Sequence, residues 1–238
     1  MYTCTNCGAE VANLYRRYSP SVLKVLKCNS CGYLADKYIE YDPVIVLLDL
    51  ILLQKSAYRH LFYNSNFKSY WKLMIVLILG ESFQKWLDSS ISLSDNEERK
   101  DSFEGEKNLY IILIQTTLSL SALICTIIIS MELRWFFICK RPEMYKSRNL
   151  VKALIIGRYP NLLGLLGIVW KHNSPKLHNF LIYGYELLCL LTAYSVVSDS
   201  EKSGSLIVLI LGLLAHNSVS SGLFEMPQLI SNVTLMQN

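Results

Sequence analysis

Four of the chain's seven cysteines fall in the first 31 residues, as Cys4-x-x-Cys7 and, after twenty further residues, Cys28-x-x-Cys31. A Cys-x-x-Cys turn presents two thiolates from one knuckle, and two knuckles supply the four tetrahedral sulfurs that Zn²⁺ takes at about 2.3 Å. Gly8 and Gly32 follow the second cysteine of each pair, where glycine's access to positive φ lets backbone amides turn toward the sulfurs. The spacing predicts a zinc ribbon built on short β hairpins, with Cys4, Cys7, Cys28 and Cys31 as ligands. Such a site is closed, and its role is to fold a segment too short to bury a sufficient core. Two disulfides or a redox Cys-x-x-Cys are the other chemistries the pattern admits; a RING needs twice as many ligands. Arg16, Arg17, Lys24 and Lys27, between the knuckles, would offset the negative charge of a tetrathiolate centre.

Other reactive side chains stand out by their surroundings. Asp49 interrupts an apolar stretch at 44–53; it either contacts a lipid headgroup or partner helix, or is a paired acid on the wet face of an interfacial helix. Tyr58, Arg59 and His60 read as a headgroup clamp or as a structural helix end packed on the ribbon. Glu81, Arg158, Glu186 and His216 are ionisable groups inside apolar segments, where charge is expensive and marks candidate sites. Arg158 can pair with Glu186 or with Glu81, as structural glue or as the lining of a polar route for a headgroup. His172 and His178 lack neighbouring acids, which argues against a second metal site. No Gly-x-Ser-x-Gly elbow, glycine-rich phosphate loop or acyltransferase His-x4-Asp occurs, so the expectation is a protein that is not an enzyme.

The elements that must hold these residues follow from composition. Apolar residues are 52% of 238 and charged residues 18%, against about 25% charged in soluble proteins. A mean hydropathy of +0.28 with a net charge of +4 excludes a disordered chain and a nucleic-acid binder. The architecture expected is a head at 1–66, closed by an amphipathic, interfacial helix, then an α-helical multi-span membrane bundle at 67–238. Residues 44–53 are too few to cross about 30 Å of hydrocarbon, which takes roughly 20 helical residues, and Pro43 suits a helix start. Spans are expected at 109–131, 180–198 and 205–224, and, against their internal charges, at 71–87 and 150–170, giving four or five.

Loop charge orients them. Residues 1–72 carry nine Lys and Arg, 88–108 seven acids against three bases, and 132–152 six bases. Basic, acidic, basic places the head in the cytosol, in keeping with an N-terminus that has no basic and apolar leader. With five spans the sequon Asn232-Val233-Thr234 would be lumenal.

The cysteine pairs, followed by Tyr38-Ile39-Glu40-Tyr41-Asp42, Val46 through Leu52, and Tyr58-Arg59-His60-Leu61-Phe62-Tyr63-Asn64, resemble the Arv family over residues 2–66; beyond them the likeness is a similar layout of spans. The resemblance implies an endoplasmic-reticulum membrane protein, with the Golgi as a second compartment, acting in sterol transport and homeostasis, sphingolipid balance and handling of glycosylphosphatidylinositol (GPI) precursors. Sterols, sphingolipids and GPI precursors are the implied partners, with lipid or GPI biosynthetic enzymes as partners if the chain is instead a non-transporting adaptor.

Overall fold

The computed structural model describes residues 2–19, 22–66, 69–94, 102–138, 147–169, 175–198 and 202–236. The acidic residues at 95–101, the bases at 140–146, His172 and the side chains of the sequon at 232–234 lie outside the described parts.

The head opens with two antiparallel hairpins. β1 (Tyr2–Thr3) pairs with β2 (Glu10–Val11), and β3 (Tyr15–Arg17) with β4 (Leu23–Val25), Tyr15 opposite Val25. Isolated two-stranded ribbons are marginal in water, so these need the knuckles at their ends to persist. A 3₁₀ turn at Lys37–Ile39 leads into α1 (Pro43–Ile51), whose start is as the sequence implies. Asp42 caps it by accepting the Val44 N–H at 2.9 Å, and Pro43 sits in the first turn, where a missing N–H costs nothing. Leu53, at φ +58°, turns the chain into α2 (Lys55–Arg59), which widens into a π-helical turn at His60–Asn64.

The bundle follows: α3 (Tyr70–Ser94), α4 (Ser102–Ile138), α5 (Ser147–Gly157), α6 (Leu163–Val169), α7 (Pro175–Ser198) and α8 (Lys202–Met236). Among the described residues, four stretches are long and apolar enough to cross a membrane: Asn108–Phe136, Ser147–Gly167, Leu177–Ser198 and Ser205–Gly222. The chain is a multi-pass membrane protein. The helix expected over 71–87 forms as α3 and packs on α4 and α5, yet its Lys72, Glu81 and Lys85 keep it outside that group of four. The stretch expected over 150–170 is broken: α5 stops at Gly157, a 3₁₀ turn runs through Tyr159–Leu162 with Pro160 in its first turn, and only then does α6 begin. Arg158 stands at the break.

The start of α3 lies by α5, with the Lys152 ammonium 5.7 Å from the Tyr70 ring centre. The late part of α7 meets that of α4, where Tyr194 Oη donates to Met131 Sδ at 2.7 Å. These ends form the head-side face. One buried cluster crosses it, joining Tyr38, Tyr58 and Phe62 to Met131, Leu150, Leu154, Leu190 and Val197. Glycine permits a close crossing: a Cβ on Gly157 would fall 3.1 Å from Leu190 Cα, so α5 and α7 approach as small residues allow in membranes.

Candidate metal centre and bundle cavities

The four thiols converge. Their sulfurs all lie within 4.8 Å of one another, Cys4 Sγ 3.8 Å from Cys31 Sγ and Cys7 Sγ 3.7 Å from Cys28 Sγ. A tetrahedral metal with bonds of about 2.3 Å separates its sulfurs by about 3.8 Å, whereas a disulfide needs about 2.05 Å. The four are free cysteines, so the donor set fits a metal ion. The two knuckles are copies in their backbone: Cys4 N–H donates to Ala9 O and Gly8 N–H to Cys4 O, as Cys28 N–H donates to Tyr33 O and Gly32 N–H to Cys28 O. Gly8 and Gly32 take φ of +86° and +73°, the left-handed conformation that glycine adopts without a Cβ clash. Backbone N–H groups of Cys31 and Ser30 pull the Cys28 thiol down to about 6, and that of Tyr33 lowers Cys31; burial pushes Cys4 up to about 12.

The knuckles are fastened to α2. Arg59 donates to the carbonyls of Thr5, at 3.2 Å, and Asn6, at 2.5 Å. Asn64 meets Thr3 in both directions, accepting its N–H at 2.9 Å and donating to its carbonyl at 2.8 Å, as a strand neighbour would. Asp36, fully buried, collects the Tyr38 N–H on Oδ1 and Asn64 Nδ2 and His60 Nδ1 on Oδ2, at 2.8 and 2.7 Å. Asp49 accepts from Tyr38 Oη at 2.7 Å and pairs with Lys37 at 3.4 Å. Burial raises the Tyr38 phenol, keeping it a donor.

Within the bundle a charge layer forms at one depth. Glu81 is 11 residues from the start of α3, Arg158 11 from the start of α5, Glu186 12 from the end of α7 and His216 11 beyond Ser205. At 1.5 Å per residue that is about 16–18 Å of helix, near the middle of the hydrocarbon. Arg158, 3% exposed, reaches Glu81 Oε2 at 3.0 Å and Glu186 Oε1 at 3.4 Å. Glu81 also meets Lys85 at 2.9 Å and His216 Nε2 at 3.5 Å. With its amide oriented to suit both neighbours, Asn161 donates to Glu186 Oε2 at 2.9 Å and accepts from Arg158 Nη2 at 2.7 Å. The broken helix leaves the Asn161 carbonyl available, and Gln84 donates to it at 2.9 Å. Irregular backbone is tolerated at this depth where protein satisfies it or a cavity adjoins it. Both hold here: Arg158, Glu81, Glu186, His216, Asn179 and Asn217 help to line a cavity of ≈490 Å³.

A second cavity, of ≈560 Å³, opens between α1, the π-helical turn, α3 and α5. Its walls are mostly apolar, among them Val46, Leu50, Leu61, Leu73 and Ile156, with His60, Ser65 and Asn66 also in the lining. Tyr159 belongs to this cleft while its neighbour Arg158 belongs to the polar cavity. The Tyr159 and Tyr185 hydroxyls bond to each other, and Tyr185 Oη donates to Ile51 O at 2.7 Å.

Residues 3–194 match the model of the Arv1-like family. The chain belongs to the Arv1-like family. It is 32% identical over 222 residues to "Protein ARV1" of Mus musculus, covering 92% of this chain and 82% of that one. Against "Protein ARV1" of Homo sapiens it is 31% identical over 223 residues, at 91% and 79% coverage. With "Protein ARV1" of Candida albicans it shares 28% identity, with 97% of each chain covered. No solved structure matches it.

For this Arv1-like chain the structure brings Cys4, Cys7, Cys28 and Cys31 together, and separately Arg158, Glu81, Glu186 and His216, joining the arginine to both acids. Tyr58, Arg59 and His60 meet three different partners, since consecutive helical residues diverge by about 100°: Tyr58 donates to Leu50 O at 3.3 Å, Arg59 holds the first knuckle and His60 the Asp36 carboxylate. Asp36 and Asn64 were not singled out as site candidates in the sequence. They are polar residues in a polar segment, and the short Asp36-x-Tyr38 turn, with Asp36 Oδ1 on the Tyr38 N–H, was the one local signal.

Proposed function

We propose that this protein is a non-enzymatic membrane protein of the endoplasmic reticulum that moves and balances sterols and other lipids, with its zinc-bound head in the cytosol. The observation that carries the reading is the ≈490 Å³ polar cavity that runs from the Arg158 layer toward the start of α7, bordered by Glu186, Asn217 and Asn179. Mutually neutralised charges and amides within hydrocarbon offer a lipid headgroup hydrogen bonds it otherwise loses on leaving water. The ≈560 Å³ cleft, reached on the Tyr159 side of the broken helix, is a separate apolar site that suits a sterol-like body. Arg158, Glu186 and His60 are then the lipid-contact residues, while Asp49, Tyr58 and Arg59 hold the walls. Zinc, bound by the four cysteines, supplies the folding energy of the head.

The sterol, sphingolipid and GPI-precursor assignments rest on the family resemblance. A reconstituted system tests the reading: vesicles containing the purified protein should speed transbilayer exchange of a labelled sterol. Gly184→Phe should slow it, because Gly184 lines the cavity and a Cβ there meets nothing within 4 Å, which leaves room for a larger side chain to enter. Exchange no faster than in empty vesicles would defeat the proposal.

A second reading is an adaptor that scaffolds lipid or GPI biosynthetic enzymes. It is favoured by the apolar side chains the ribbon exposes, Tyr15, Tyr18, Val22, Tyr33 and Leu34. That reading predicts head-dependent capture of such an enzyme and a normal phenotype for Gly184→Phe.

A further inference from the structure

We infer that residues 43–64 form a half-membrane hairpin: α1 descends into the head-side leaflet, turns beside the middle of α7, and α2 with its π-helical turn climbs back to the head. The outer side of α1 is then in contact with acyl chains. This goes beyond lipid transport and does not depend on it, since the hairpin would be equally inserted in an adaptor.

The first ground is α1's surface. Val44, Ile45, Leu47, Leu48, Ile51 and Leu52 are all exposed, from 39% to 67%. At 100° per residue they occupy an arc of about 160° that holds no polar side chain. Leu50 and the carboxylate of Asp49 lie off that arc, the first buried and the second held by Tyr38 and Lys37.

The second ground is where the hairpin is pinned. Ile51 O accepts from Tyr185, 13 residues before the end of α7 at Ser198, whereas Tyr63 Oη donates to Val196 O, two residues before it. Those 11 intervening residues are about 16 Å of helix, so the chain climbs roughly half the hydrocarbon thickness between Ile51 and Tyr63. Hydrocarbon reaches the head-side ends of the neighbouring helices, since α4 exposes Leu133 and Phe136 and α8 exposes Leu206 and Ile207.

The third ground is the turn. Its N–H groups are satisfied within the hairpin, Leu52 to Leu48 O, Leu53 to Leu50 O and Gln54 to Asp49 O, as backbone in lipid requires. Position 53 takes a left-handed φ of +58° with leucine, not glycine, keeping an apolar side chain at the tip. Gln54 and Lys55, exposed beside the tip, are the polar side chains this placement carries, and the four-carbon stem of Lys55 lifts its ammonium part of the way toward the headgroups.

The full-length protein in phosphatidylcholine vesicles tests this with two photoreactive lipids, one with its carbene source at the acyl-chain end and one on the headgroup. Adducts are located by peptide mass spectrometry. The chain-end probe should label Ile51 and Leu52 as efficiently as Ile129, an exposed residue of the α4 span, and the headgroup probe should leave both unlabelled. Stronger labelling of Ile51 and Leu52 by the headgroup probe, which would mean a helix lying on the surface, overturns the inference. So would a lack of lipid adducts on 44–52, whether the face is bare to water or covered by a second copy or another protein.

Discussion

Asp36 in the head and Arg158 in the bundle are both buried charged groups, 0% and 3% exposed, yet they are satisfied in opposite ways. Asp36 is met by an N–H two residues on and by His60 and Asn64 from the single segment that follows α1. Arg158 is met by Glu81 on α3 and Glu186 on α7, and through Glu81 by His216 on α8. One arrangement is a local clasp beside four thiols placed to hold a metal; the other exists only once separate helices have assembled. The head should therefore respond to loss of metal, and the bundle to loss of charge balance.

The largest effect expected is for Cys28→Ser. A structural metal contributes on the order of 10 kcal/mol to a small domain, so the variant should bind far less than one zinc per chain, by elemental analysis, and lose the protease resistance of its head. A full complement of zinc would remove the distinction between the regions. Next comes Arg158→Leu, which leaves Glu186 without a cationic partner in hydrocarbon, Glu81 keeping Lys85, and should cost about 3–5 kcal/mol. Thermal unfolding in detergent should show it, with zinc content unchanged, and adding Glu186→Gln should restore much of the loss. A double variant no better than the single one would mean that Arg158 stabilises by packing, not charge.

Asp36→Ala strands three donors and should cost about 1–3 kcal/mol. Hydrogen exchange at Thr3 and Tyr38 should rise while α7 stays protected; faster exchange in both would show that clasp and bundle open as one unit. The smallest change is Asp49→Asn, which keeps a partner for Tyr38 and removes only the charge facing Lys37 at 3.4 Å, and it should cost less than Asp36→Ala. A loss comparable to that of Arg158→Leu would show that Asp49 belongs with the buried charges.

The same contrast explains what the sequence disclosed. Each knuckle is four residues long and closes on itself, so ligands and glycine conformations are both readable from spacing. Charges inside apolar runs are equally visible, and Arg158, Glu81, Glu186 and His216 stood out for that reason. Their pairing was left open between two acids because it depends on helix order, which no local pattern encodes; the structure uses both. The break at Arg158–Pro160 was less legible, since proline is also tolerated within membrane helices when neighbours satisfy the freed backbone groups. Apart from the Asp36-x-Tyr38 turn, the clasp of Asp36 and Asn64 gives little contrast against its polar background.

At the broken helix, successive side chains face different chambers: Arg158 toward the wet one, Tyr159 toward the greasy one. The two chambers thus meet at adjacent residues of one turn, beside the bonded phenols of Tyr159 and Tyr185. A guest wedged against Tyr159 would lean on the backbone that carries the guanidinium, so filling one compartment would bear on the ionic lattice of the other.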